Sequence, residues 1–282
     1  MRKFIVLLLV LCVTSCSKQK PPAQSVELVV FAAASMTETM EQIAGLYKNK
    51  APNVKLTYNF DSSGTLKTQI QEGAECDIFI SAGQRQMDQL DITANAPVNA
   101  EGQDFVLPGT RINFLENRVT LCVPKDNPAN IKNFADLADK LANDNISTPY
   151  SLLPTPSILL AMGNSDVPVG QYTQRILKYF KLDEKALANS GRITYGSNVK
   201  EVTTQIAASS VSCGVVYRTD AYSAGLEIAD YATVEMCGQV IYPAAIMKTG
   251  KNPDAAAAFF EYLQTDEALA VFEKVGFIAI NN

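Results

Sequence analysis

Leu28-Val29-Val30-Phe31-Ala32-Ala33-Ala34-Ser35 is an unbroken apolar run that ends in small residues, with a helix-patterned stretch directly behind it. An apolar run without alternation suits a strand buried on both faces, as inside a helix-covered sheet. Met36, Met40, Ile43, Ala44 and Tyr47 then recur at helical spacing, which predicts an amphipathic helix over 36–49 packed on that sheet. The design returns further on. Val54, Leu56, Tyr58 and Phe60 alternate with Lys55, Thr57 and Asn59, and Asp61-Ser62-Ser63-Gly64-Thr65-Leu66 turns the chain into a short helix. Leu66 and Ile70 mark its inner face, and Gly73 stops it. A serine where a strand ends and a helix begins offers its hydroxyl and N–H beside a bare helix N-terminus. That favours an anion without any charged side chain.

Outward from these two corners the strand–helix alternation continues, which predicts an α/β architecture. Asp77 to Ser81 reads as a third strand. A second block opens near Arg118 with the strand Val119–Val123, the helix Phe134–Leu141 and a strand at Ser157–Ala161. Gly170 to Lys181 reads as a helix, with Tyr172, Ile176, Leu177 and Phe180 on one face. A short strand at Ile193–Tyr195, a helix over 199–208 and a last strand at Gly214–Tyr217 close that block. After a strand at 242–246 come two helices, Pro253–Leu263 and Asp266–Lys274. The expected organisation is two lobes that the chain crosses between twice: 26–116 plus 241–282 in the first, and 117–240 in the second.

The N-terminus reads as a targeting segment over 1–15. Met1-Arg2-Lys3 is basic, Phe4 to Val13 is apolar but too short to span a bilayer, and Thr14-Ser15-Cys16 follows. A cysteine after small residues at that point resembles the bacterial lipobox, which implies cleavage before Cys16 and a lipid on its sulfur. The alternative is an ordinary secretory signal with an incidental cysteine. The polar, Pro-containing stretch through Ser25 then serves as a tether (16–25), so the protein is expected outside the cytoplasmic membrane, anchored by lipid. Cys76, Cys122, Cys213 and Cys237 remain; they allow three full pairings or buried free thiols.

At 47% hydrophobic and 19% charged the chain is globular. Its net charge of −5 argues against nucleic acid, and it means that any bound anion is captured by local dipoles. The chain has no histidine, which removes the commonest general base and the commonest catalytic zinc ligand together.

Helix N-termini are expected at four corners: Ser35, Ser63, Pro168-Val169-Gly170 before a helix at 170, and Asn198-Val199. At roughly +0.5 of a charge each they sum to about +2, the complement of a fully ionised tetrahedral oxyanion. Donors alone offer nothing to the O–H of a protonated ligand, so phosphate monoanion is penalised while sulfate, molybdate and tungstate are not. The competing explanation for any one corner is plain helix capping, and for Tyr217 a core tyrosine with a tethered hydroxyl.

These motifs resemble those of the molybdate-binding proteins of ABC transporters, within the type II periplasmic-binding-protein fold. The resemblance spans roughly 26–280. It rests on Val30-Phe31-Ala32-Ala33-Ala34-Ser35-Met36-Thr37, Phe60-Asp61-Ser62-Ser63-Gly64-Thr65-Leu66, Asp77 to Ala82, Val167-Pro168-Val169-Gly170-Gln171-Tyr172, and Gly214-Val215-Val216-Tyr217-Arg218-Thr219-Asp220-Ala221. It implies mixed sheets flanked by helices, a ligand cleft between two lobes, and a monomeric receptor that passes molybdate or tungstate to a membrane permease. It implies no further cofactor and no enzyme. Carried over residue by residue, it places hydroxyl and N–H ligands on Ser35 and Ser63, N–H ligands on Val169 and Val199, and a phenolic donor on Tyr217. The chain departs from the family pattern at Asp61, a carboxylate two positions before Ser63, and at Asn164-Ser165-Asp166, where an Asp-Pro is usual.

Other readings keep part of this. The same fold could bind sulfate, another oxyanion or an organic acid, although organic acids call for a basic fork. The only basic residue in the motifs, Arg218, follows Tyr217 and should point away. A serine enzyme would need a lysine base. Ser-x-x-Lys spacing occurs at Ser17–Lys20 in the tether and at Ser197–Lys200 on a helix start, without companion motifs. A purely structural lipoprotein would bind nothing.

Overall fold

The computed structural model describes residues 25–94, 98–143 and 158–280. The targeting segment, Cys16 and nearly all of the tether lie outside the described residues. In the first part of the chain, β1 (Val26–Ala33) leads through a 3-10 turn (Ala34–Met36) into α1 (Thr37–Lys50). β2 (Val54–Asp61), α2 (Ser63–Gln71), β3 (Ile78–Ile80), α3 (Gln84–Asp88) and β4 (Ile112–Asn117) follow. The second part holds β5 (Val119–Val123), α4 (Phe134–Asn143), β6 (Leu160–Gly163), α5 (Pro168–Tyr179), α6 (Glu184–Asn189), β7 (Ile193–Gly196) and α7 (Val199–Ala207). It continues with β8 (Cys213–Tyr217), α8 (Arg218–Ala224), β9 (Glu227–Tyr231) and α9 (Val234–Cys237). The chain returns through β10 (Val240–Ile246), α10 (Pro253–Leu263), α11 (Asp266–Val275) and β11 (Ile278–Ala279).

Two mixed sheets result, one per lobe. The first has the order β11-β4-β10-β3-β1-β2 and the second β7-β6-β8-β5-β9. In the first, β1 lies parallel between β2 and β3, while β10 and β11 are antiparallel additions. In the second, β6 lies parallel between β7 and β8, and β5 pairs antiparallel with β8 and β9. Leu28, Val30 and Ala32 of β1 are buried, and Met36, Met40, Ile43 and Tyr47 bury the inner side of the helical stretch behind it. The apolar run thus became a sheet interior because helices cover both of its faces. Asn117-Arg118-Val119 and the stretch from Cys237 to Val240 carry the chain between the sheets.

Several boundaries moved. The first helix begins at Thr37, because the chain tightens into the 3-10 turn through Ser35 before it settles. The helix expected at 170 starts at Pro168, whose missing N–H is harmless in a first turn. The strand expected at Ser157–Ala161 lies at Leu160–Gly163, set by its register with Ile193–Gly196; Ser157 itself is outside the described residues. Gly214–Tyr217 is not the last strand of its block, since β9 follows and pairs with the far side of β5. Cys76, Cys122, Cys213 and Cys237 are all free and buried, and burial raises each thiol above its usual range. Among the described residues no helix is long and apolar enough to cross a membrane.

Candidate ligand-binding site

In open α/β sheets the carboxyl ends of parallel strands are where the chain turns into helices and leaves a crevice. A cavity lies at such ends: Ala33, Asp61 and Tyr217 line it, together with Ala82, Val167 and Val199, which follow other strand ends. β1, β2 and β3 end at Ala33, Asp61 and Ile80, and β6, β7 and β8 end at Gly163, Gly196 and Tyr217. Ser35, Ser63, Val169, Val199 and Tyr217 all line a single cavity between the lobes. The cavity volume is only ≈ 10 Å³. That is room for about one water molecule, far from the roughly 300 Å³ or more of a drug-sized pocket, so a larger guest requires the lobes to part. Among the described residues no lysine, arginine or histidine lines it, and Asp61 is the one charged residue that does.

Neither serine is used as a cap. Met36 stands at the N-cap of α1 and offers no side-chain bond, so Ser35 sits within the 3-10 turn. Ser62 caps α2 by accepting from Thr65 N–H at 3.1 Å, which leaves Ser63 as the first helical residue. Ser63 Oγ accepts the N–H of Ala82 at 2.9 Å, so its own proton remains to be donated. Ser35 Oγ lies 2.9 Å from the hydroxyl of Tyr242.

The second lobe contributes backbone. Val167 is the N-cap of α5 and Pro168 its first residue, so Val169 carries the first N–H that this helix can present. Close packing fixes that turn: a Cβ on Gly170 would lie 2.2 Å from the carbonyl oxygen of Asn164. Asn198 caps α7 by accepting from Glu201 N–H at 3.1 Å, as expected of a capping asparagine. Val199 behind it has no preceding helical carbonyl to bond. Tyr217 is buried, edge-on to Tyr172 and Tyr242. Burial above all, with the nearby phenols and Asp220, holds its hydroxyl well above the usual tyrosine range, so it stays a neutral donor.

The lobes are in contact around the cavity. The Tyr217 hydroxyl donates across the seam to Ala82 C=O at 3.3 Å. Gly64 lies so near Asp166 that a Cβ would stand 2.3 Å from its carbonyl oxygen. Lys200 of α7 donates to both carboxylate oxygens of Glu38 in α1, at 2.7 and 2.8 Å. Its Nζ is also 3.6 Å from the buried Asp220. Burial pushes the Asp220 carboxyl up to about 7, with Lys200 opposing the shift and Glu38 adding to it. Lys200 is therefore committed to acids, and Ser197 Oγ donates to Glu201 at 2.7 Å. The Ser197–Lys200 spacing forms no nucleophile–base pair.

Asp61 Oδ1 accepts the N–H of Ser62 at 2.6 Å. The carboxylate is thereby held at the cavity wall, against the approach of any anion. Arg218 opens α8 and lies against Gly276, outside the cavity lining. Sequence reading missed Tyr242 and Ala82, the two groups that touch the serine hydroxyls. Tyr242 was legible only as a strand residue before Pro243, and nothing local ties it to Ser35.

Comparison with known proteins follows the same lines. The profile of the bacterial extracellular solute-binding proteins matches residues 28–278. YvgL of Bacillus subtilis, placed by its name among ABC transporter substrate-binding lipoproteins, is 32% identical across 95% of this chain and 94% of its own. The molybdate-binding protein ModA of Haemophilus influenzae is 29% identical across 91% of this chain and 92% of its own. The periplasmic molybdate-binding protein of Azotobacter vinelandii shares the fold with a TM-score of 0.72 at 22% identity, covering 90% of this chain and 100% of that one. With two sheets meeting at a small cleft and a profile that spans nearly all of both, the chain belongs to the bacterial extracellular solute-binding proteins.

Proposed function

We propose that this chain captures molybdate, or tungstate of the same shape and charge, outside the cytoplasmic membrane and delivers it to an ABC-type permease. The observation that carries the reading is the cavity itself. Two hydroxyls, two uncommitted helix N–H groups and one phenol converge from both lobes on one small cavity, with no basic side chain among its described lining residues. Dipolar donors of that kind suit a dianion without protons, and they must also outweigh the Asp61 carboxylate in the same lining. The relatives named as molybdate-binding proteins support the choice of metal oxyanion.

Ser35 and Ser63 then bind through hydroxyl and N–H, Val169 and Val199 through N–H, and Tyr217 through its phenol. The metal is held only as its oxyanion, with no protein–metal bond. Lobes comprising 26–116 plus 241–282 and 117–240 close over it, and Tyr217 exchanges its contact with Ala82 for one with the anion. The receptor works as a monomer, tethered by lipid on Cys16 beside its permease, which raises the local concentration. No catalysis is part of this reading: the serine hydroxyls face Ala82 N–H and Tyr242, and neither faces a base.

Titration calorimetry of the purified protein with molybdate, tungstate, sulfate and phosphate tests it. Tight binding is expected for the first two and roughly 100-fold weaker binding for sulfate, about 2.7 kcal/mol. Equal affinity for sulfate removes the molybdate assignment, and binding of none of the four removes the oxyanion site.

A further inference from the structure

Ser35 ends a chain of buried hydrogen bonds that starts at the crossing between the lobes. Asn117, the last residue of β4, accepts the N–H of Arg118 on its Oδ1 at 2.8 Å. That bond fixes which way the amide faces. Its Nδ2 therefore donates outward, to Thr219 Oγ1 at 2.9 Å and to the Tyr242 hydroxyl at 3.2 Å. Tyr242 is fully buried, and its phenol, kept neutral by burial, retains its proton. With its oxygen receiving Asn117, that proton goes to Ser35 Oγ, 2.9 Å away. Ser35 then has one proton of its own left, and the cavity lies beside it. Reversing any link would leave a buried polar proton facing a donor, at a cost of about 1–3 kcal/mol.

We propose that Asn117 and Tyr242 form a one-way hydrogen-bond relay that holds Ser35 as a donor toward the cavity, making Tyr242 a positioning residue that sets selectivity against protonated oxyanions. The inference rests on the oxyanion reading given above. A proton-free dianion accepts the Ser35 proton. A singly protonated dianion must place its O–H against some acceptor, and the relay makes Ser35 a poor one, since one of its two lone pairs already receives the Tyr242 proton and its own proton faces the guest. Charge plays no part in this discrimination. The relay also ties both lobes to the same hydroxyl, since Thr219 belongs to α8 of the second and Tyr242 to β10 of the first.

The test compares molybdate with inorganic phosphate near about pH 8, where phosphate is largely a dianion carrying one proton and the charges match. Dissociation constants are measured by calorimetry on the unmodified protein and on Tyr242→Phe, which keeps the ring packed edge-on against Tyr217 and Phe277. The phosphate-to-molybdate ratio is expected to fall about tenfold or more in Tyr242→Phe, equivalent to 1.4 kcal/mol. In a Ser35→Ala background the same substitution should leave the ratio unchanged, because the relay no longer has an end. Asn117→Ser, which frees the phenol without removing it, should lower the ratio in the same direction, and it decides the matter alone if Tyr242→Phe does not fold. A ratio that holds within about twofold while both affinities drop together means Tyr242 only supports packing, and it overturns the relay. An equal change with and without Ser35 also overturns it. Failure of the unmodified protein to bind molybdate defeats the oxyanion reading instead, so the two failures are separate.

Discussion

The two lobes furnish the cavity by different means. The first brings side-chain hydroxyls, Ser35 and Ser63, whose directions are set by Tyr242 and by Ala82 N–H. The second brings mainly bare backbone, Val169 and Val199, aimed by helix starts that need no further partner, with the phenol of Tyr217 as its one side-chain donor among the lining residues. A hydroxyl rotates, so its role depends on what its oxygen already accepts. An N–H in a first helical turn points where the helix points. The serine hydroxyls of the first lobe, like the Tyr217 phenol of the second, should therefore be tunable one atom at a time, and the N–H groups of Val169 and Val199 only by moving the main chain.

The largest expected effect is on the backbone side. Gly170→Val forces a Cβ to within 2.2 Å of a carbonyl oxygen and displaces the start of α5. A loss of about 3 kcal/mol or more in stability, together with loss of oxyanion binding, is expected by thermal melting and calorimetry. Retained affinity would break the contrast, since the second lobe would then tolerate a shifted backbone. Ser63→Ala comes next. It leaves the backbone in place and should weaken molybdate binding by about 1–3 kcal/mol, with the N–H groups of the second lobe unaffected. Unchanged affinity there would mean that N–H groups alone make the site. The smallest effect on binding is expected from Asp220→Asn, one turn below Tyr217 and outside the cavity lining.

Asp220 sharpens the comparison through pH. Its carboxyl stands at about 7 in the folded protein against 3.8 in the ordinary aspartate. The folded state thus holds more protons than the unfolded chain between those values, and this group makes stability fall as pH rises from about 4 to about 7. Asp220→Asn should flatten that slope, raising the melting temperature at pH 8 relative to pH 5 on a scale of about 2–4 °C per kcal/mol. A slope unchanged by the substitution would place the buried proton elsewhere.

Both corner motifs at Ser35 and Ser63 and the two-block alternation were legible from local patterns of strand and helix, whereas the five residues that line the cavity were named together only through the family resemblance. What was not legible falls into two kinds. β9, Glu227–Tyr231, is a half-exposed strand that carries two acids, Glu227 and Asp230, and it exists because β5 offers it an edge. β11 is two residues long and likewise borrows its conformation from β4. The other kind concerns roles. Capping was the competing explanation for every serine and asparagine at a helix start, and it holds for Asn198 and Ser62 but not for Ser35 or Ser63. Adjacent serines are equivalent by propensity; only the position of Ala82 separates Ser63 from Ser62.

By itself the sequence determined where strands give way to helices, because periods of 2 and 3.6 and the preference for small polar residues at corners act over a few neighbours. It also determined that the chain is acidic and without histidine, so that an anion must be met by dipoles. Only the tertiary structure decided which corners share a cavity and which way the serine protons point. Those outcomes depend on contacts such as Ser35 with Tyr242, 207 positions apart. A hydrogen bond's direction follows from everything already bonded to both partners, and no stretch of sequence around either residue contains that information.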